Sequence, residues 1–267
     1  MKRVILFCIL SFLFSIIQAQ VLVDGETLEY RVAYKAKMVP NTEVAYVTMK
    51  TYADSLMNRR VHHIEGVGKT LPFFNFFFKL YDKYDVWIDY QTKKPIRFED
   101  YLQEGSYSFR SRYFFDWEDM VAHTWAKSCE KPPRTSEVSL TEDSMDAISL
   151  YYHMRSLDRS EVKEGYRREL NMVLDKEVKK LRLRFIRREV CNVPHGKAYN
   201  TMLFACTLGS VEEFSFTDGS EFSIWISDDE NKVPIMLESQ VRVGSIRAYK
   251  YNFTGLRYAL NECQSVK

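Results

Sequence analysis

The chain has 267 residues, with 38 Lys+Arg against 36 Asp+Glu. That balance lacks the basic excess nucleic-acid binding needs to displace counterions, so no nucleic-acid partner is expected. A 46% hydrophobic and 15% aromatic content excludes an intrinsically disordered chain and is enough for one large β-rich domain or two small ones.

The first twenty residues read as a secretory signal peptide. Lys2 and Arg3 give the positive region, Val4 to Ile17 the apolar core, and Ala19 a small residue before the cut. Cys8 lies inside that core behind bulky Phe7, so it is not a lipoprotein cysteine. The apolar run is short for a bilayer span, and no second run is long enough to cross one. The expected mature chain starts at Gln20 or Val21. It is periplasmic or secreted, does not span the membrane, and forms a single domain over 21–267 made of two halves, 21–130 and 137–267.

Strand signals then dominate. Leu28, Tyr30, Val32 and Tyr34 alternate with Glu29, Arg31 and Lys35, the period of a half-buried strand. A short helix is predicted over 72–82, where Pro72 suits a first turn and Phe73/Phe74, Phe77/Phe78, Tyr81 and Tyr84 recur at helical steps. Tyr107, Phe109, Tyr113, Phe115 and Trp117 all fall on odd positions, one long aromatic stripe opposite Ser106, Ser108, Arg110 and Arg112. Glu130 to Ser136, with Pro132-Pro133, is the expected linker between the halves. A second helix is predicted over 141–155, capped from Ser139-Leu140-Thr141-Glu142, with Met145, Ile148 and Tyr152 on its apolar face. Further on, Lys180, Arg182 and Arg184 alternate with Leu181, Leu183 and Phe185, which makes the basic run a solvated strand face. Turns are expected at His195-Gly196 and Asp218-Gly219.

One segment occurs twice. Trp87-Ile88-Asp89 leads to Pro95-Ile96, Glu99 and Gly105-Ser106; Trp225-Ile226-Ser227 leads to Pro234-Ile235, Glu238 and Gly244-Ser245. The match predicts two equivalent β-hairpins, with each proline opening a strand or lying on a sheet edge. The expected fold is α+β, mainly antiparallel β: a strongly curved sheet or incomplete β-barrel with two short helices and an internal β-hairpin pseudo-repeat.

Chemistry is sparse. There is no Gly-x-Ser-x-Gly elbow, no His-Glu-x-x-His pair and no phosphate loop. His62 and His63 point to opposite strand faces, so they do not suit one metal and are expected at the surface, and Cys191 with His195 is a lone pair. Asp228 to Asn231 lacks the central glycine of a calcium loop. No metal or cofactor is expected. Cys129, Cys191, Cys206 and Cys263 permit two disulfides in any of three pairings, although Cys206 equally suits a buried thiol. Asp54-Ser55-Leu56 and Asp143-Ser144-Met145 match a short O-glycosylation sequon used on exported proteins by some Gram-negative bacteria.

The C-terminal Ile224-Trp225-Ile226-Ser227-Asp228-Asp229, Pro234-Ile235, Glu238 and Val243-Gly244-Ser245-Ile246 resembles a family of exported bacterial proteins of unestablished function. Ile88-Asp89, Pro95, Glu104-Gly105 and Phe115-Asp116 look similar to its N-terminal half, as does Asp146 to Tyr152 with Arg155. The likeness spans roughly 25 to 255 and brings no catalytic residues.

Three readings follow. The first is a non-enzymatic envelope protein with an apolar cavity for a lipid or other apolar molecule, lined by Phe73, Phe74, Phe77, Phe78, Tyr81, Trp87 and Trp225. By fold class its architecture resembles periplasmic lipoprotein carriers. The second is an interaction protein that docks to an envelope partner through sheet edges near Pro95 and Pro234. The third is a hydrolase using Glu99 and Glu238, weighed against a Trp and Glu that are structural in each half.

Overall fold

A computed structural model describes residues 22–37, 39–174, 177–194, 197–210 and 220–263. The signal-peptide segment, His195-Gly196 and the Asp218-Gly219 turn lie outside them.

The chain forms two antiparallel meanders that run the same way along one sheet. The first is β1 (Thr27–Ala36), β2 (Val39–Leu56), β3 (Arg59–Thr70), β4 (Leu80–Asp89), β5 (Pro95–Glu104), β6 (Tyr107–Asp116), β7 (Val121–Ser128) and β8 (Arg134–Ser139). A two-residue strand, β9 (Ser144–Met145), and the helix α1 (Ala147–Met154) follow. The second meander is β10 (Arg167–Leu174), β11 (Glu177–Val193), β12 (Lys197–Ser210), β13 (Ser220–Ser227), β14 (Pro234–Gln240) and β15 (Ser245–Thr254). The last strand, β15, pairs with β1 and joins the two into one sheet, while a short β16 (Glu262–Cys263) adds to β12. The linker expected at 130–136 is instead a turn followed by β8, which pairs with β7.

Sheet curvature brings the far strands together. Val138 on β8 and Val173 on β10 share one core with Leu28, Ile64, Val86, Phe98, Tyr113 and Phe115, and Val178 on β11 packs against it. A flat sheet of this width would hold them far apart. A second core packs Leu150 and Met154 of α1 on Leu170, Leu183, Phe204 and Ile224. A third gathers Tyr199, Val233, Ile235 and Tyr249. The concave side is thus filled with side chains.

The odd-numbered aromatic stripe faces inward at Tyr113 and Phe115, both 3% exposed. On β1 the alternation breaks. A bulge between Val32 and Ala33 turns Ala33 into the core, where an unbroken strand would place Val32.

The predicted helix over 72–82 is a single 3-10 turn, Pro72–Phe76, and Tyr81 and Tyr84 lie on β4. On β4 the aromatics Tyr81, Tyr84 and Trp87 recur at three-residue steps, so the helical spacing runs on into a segment that is a strand, with Tyr84 on the face opposite Tyr81 and Trp87. The second helix forms but is shorter. Its cap is Asp146, whose carboxylate accepts from the amides of Ile148 and Ser149 at 2.9 Å each; the Ser139 box is not used.

The two repeated segments form hairpins of the same register. Trp87 lies opposite Arg97 and Ile88 opposite Pro95; Trp225 lies opposite Met236 and Ile226 opposite Pro234; each has its irregularity between the Trp and the Ile. Pro95 and Pro234 open β5 and β14. Both strands are interior to the sheet, so no edge lies beside these prolines as expected, and one end of the sheet path is β8. All four described cysteines are free, with Cys191 and Cys206 buried, so of the two readings left open the buried thiol is the one seen at Cys206. Ser144 is 1% exposed and closed to modification, while Ser55 is exposed at a hairpin tip.

Candidate functional site

Register builds the site. Because side chains directly opposite one another share a face, Tyr52, His63, Trp87, Arg97, Phe114, His123 and Glu137 form one row across seven neighbouring strands, β2 to β8. The row is on the outward face, opposite the core residues Phe98, Tyr113 and Ala122. His63 stacks on Trp87 at 4.6 Å, with the rings 3° from parallel, and the Arg97 guanidinium lies 5.3 Å from the same indole. Two residues along, on the same face, Glu99 lies opposite Arg112 and Arg112 opposite Trp125, whose ring it approaches to 5.5 Å.

Where the rows cross β5–β8, the β2–β3 tip contributes Leu56 and Met57 to an open groove of about 840 Å³. Arg97, Phe114, His123 and Trp125 form its floor. Met57 is 70% exposed and Phe114 38%, so apolar surface is left to solvent here. A second hollow of about 850 Å³ shares Trp125 and continues past Tyr101 and Arg110. A smaller one of about 380 Å³ adds Tyr81 and Lys83. The combination of Met57, Phe114 and Trp125 with Arg97 and Arg112 in one hollow suits an amphiphile.

The expected lining residues are not brought together. Tyr81 lines the smallest of these hollows, and Trp87 stands in the row beside Arg97. Trp225 is on β13, its indole N–H donating to Glu189 at 2.7 Å. Phe73, Phe77 and Phe78 project from the 3-10 turn, 73%, 72% and 50% exposed, with Phe74 half-buried. The groove residues Arg97, Phe114, His123 and Trp125 are not among those expected. Phe114 carries a sequence signal all the same: it is the one aromatic on the even, otherwise polar side of β6.

Glu99 and Glu238 are held by arginines. Glu99 bonds Arg97 and faces Arg112 across the ladder, and Glu238 meets Arg247 at 3.0 Å, also directly opposite. Five strands separate β5 from β14 in the sheet order. This is the structural pairing expected for these glutamates.

His62, expected at the surface, is fully buried, because it is on the core side of β3. Its Nδ1 meets Asp24 at 2.7 Å and its Nε2 the Lys93 ammonium at 3.1 Å. Burial lowers its pKa, against the opposing pull of Asp24. His63 is on the other face, as its position predicts. No cluster of three or more metal-ligating side chains occurs among the described residues. Asp229 serves the β13–β14 turn, accepting from the Asn231 amide at 2.9 Å and from Ser227 Oγ at 2.9 Å.

Beneath the sheet, α1 is tied to the chain before β1. The buried Arg155 guanidinium grips the buried Glu26 carboxylate in a bidentate pair, 2.6 and 2.9 Å. Burial works against the Arg155 charge, and Glu26 more than offsets it, holding the pKa above its usual value. The Tyr30 and Tyr151 hydroxyls meet at 2.6 Å beside this pair, and Tyr30 also donates to the Pro234 carbonyl at 3.0 Å.

Comparison with known proteins agrees with the architecture. A crystal structure of a β-barrel-like protein of domain of unknown function DUF1849 from Brucella abortus overlaps at a TM-score of 0.54 with 10% identity, over 87% of this chain and 97% of that one. At that identity the likeness shows the fold alone. A Parabacteroides distasonis chain provisionally described as a lipoprotein reaches a TM-score of 0.33 at 9% identity, over 88% and 98%, which carries no argument. No curated protein matches the chain. The family model described as protein of unknown function (DUF3108) matches residues 29–250, and the chain belongs to that family.

Proposed function

We propose that this member of the DUF3108 family is an exported, non-enzymatic envelope protein that holds a lipid or other apolar molecule in the outward groove of β5–β8. The observation that carries the reading is the groove itself, about 840 Å³ with Leu56, Met57, Phe114 and Trp125 beside Arg97 and Arg112. Burying one such side chain under a ligand is worth roughly 1.5–3 kcal/mol, so a few together support micromolar binding. Arg97 and Arg112 share the Glu99 carboxylate, and Glu137 also lines the groove, so this wall suits the polar head of an amphiphile without fixing its charge. The leader-like Lys2 to Ala19 segment supports export. This replaces the interior cavity expected from sequence, since the concave side is occupied by the three cores and α1.

Trp125 is the built-in reporter. Fatty acids or phospholipids brominated on the acyl chain should quench its emission on binding, and Phe114→Ser should weaken that quenching at least tenfold. Quenching that is unchanged in Phe114→Ser, or that persists in Trp125→Phe at full amplitude, contradicts the assignment of the groove.

A further inference from the structure

The β3–β4 connection, residues 71–79, puts four phenylalanines into solvent: Phe73 at 73% exposure, Phe76 at 89%, Phe77 at 72% and Phe78 at 50%. Single exposed apolar residues are ordinary, but four on one five-residue turn and its exit are not. Much of the tip's backbone is already paired within the protein. The amides of Phe74, Phe77 and Phe78 are satisfied within the turn at 2.8, 3.0 and 2.9 Å, and Leu71 donates to the Val44 carbonyl at 2.8 Å. Asn75, the polar side chain of the tip, accepts from Thr70 Oγ1 at 2.5 Å. Those amides carry their partners with them when the tip leaves water, which lowers the cost of burying it in an apolar phase.

Cations flank it. Lys79 follows the last phenylalanine and is exposed, and Lys69 precedes the turn. The β1–β2 and β14–β15 turns fall at the same end of the sheet by connectivity, and they add exposed Lys35, Lys37 and Arg242 around Val243, itself 65% exposed. Against these, the β5–β6 turn contributes Glu104 and the β7–β8 turn contributes Glu130 beside Lys131. A protruding aromatic tip ringed by excess positive charge fits a soft, anionic surface. Four phenylalanines on a nine-residue connection fall short of the roughly 20–30 residues a side that a stable protein interface engages.

We propose that this end of the sheet docks on an anionic lipid bilayer, with Phe73, Phe76, Phe77 and Phe78 entering the boundary between headgroups and acyl chains and the flanking lysines and Arg242 meeting the headgroups. The rim is separate from the groove of β5–β8, so the two readings stand or fall independently.

The test is co-sedimentation of the purified protein with sucrose-loaded vesicles, either phosphatidylglycerol with phosphatidylethanolamine or phosphatidylcholine alone. Wild type should partition onto the anionic vesicles and less onto the neutral ones. Phe76→Ser with Phe77→Ser should weaken partitioning at least tenfold on both, and these exposed positions leave the core untouched. Lys79→Gln should weaken only the anionic case, about fivefold and less at high salt. Phe114→Ser should partition like wild type. Wild type left in the supernatant, or a double variant that sediments as well as wild type, overturns the proposal. So does a wild type that self-associates without binding vesicles while the double variant is monomeric, since the phenylalanines would then cover a second copy.

Discussion

Glu26 and Arg155 show most clearly what single residues do in this molecule. Both are essentially inaccessible to water, and each is tolerable only because the other is present. Glu26→Gln leaves a buried guanidinium uncompensated and should cost about 3–5 kcal/mol in urea unfolding. Glu26→Leu with Arg155→Met should recover much of that loss, because the charge is removed with its partner. If the single substitution changes the urea midpoint no more than a surface exchange, the pair does not anchor α1. None of this was legible in the sequence. Glu26 stands in a polar Asp24-Gly25-Glu26-Thr27 stretch and Arg155 at a helix end, and 129 residues separate them. The same holds for His62, whose burial followed from which side of β3 it took. That His62 and His63 would part company was readable from strand geometry alone.

Among the elements, the two repeated segments were the most legible feature, because their prolines and glycines constrain the backbone directly. Pro95 and Pro234 open strands as they must, lacking an amide to give. Gly244 takes φ +88°, and a Cβ there would lie 2.0 Å from the Lys35 carbonyl oxygen. Gly165 has a similar φ of +84° with nothing within 4 Å. Gly244→Ala should therefore destabilise by about 1–3 kcal/mol more than Gly165→Ala, the difference between strain with overpacking and strain alone. Equal losses in thermal or urea unfolding would show that the β14–β15 turn is not pressed against β1. The Phe-rich segment misled because a run of aromatics shows helical spacing whatever the backbone does. Only solvent exposure, absent from any sequence, separates a buried helix from a presented turn.

At the scale of the whole molecule, alternation and the scarcity of helices were enough to give a curved antiparallel sheet, and the second meander closing on β1 explains why a chain of this length needs only one. The groove was not legible, since it depends on which residues of seven strands stand opposite one another. Phe114 was its one trace, an aromatic on a polar face. Sequence pointed to an interior cavity; packing fills the interior and leaves the hollows on the outer face. Groove binding is tested most directly by native mass spectrometry of the protein recovered from the envelope of an expressing Gram-negative host, followed by organic extraction of what it carries. The groove reading predicts a discrete lipid or apolar adduct on wild type that persists in Phe76→Ser with Phe77→Ser and is lost in Phe114→Ser. A clean apo mass for wild type, or an adduct indifferent to Phe114, would contradict it.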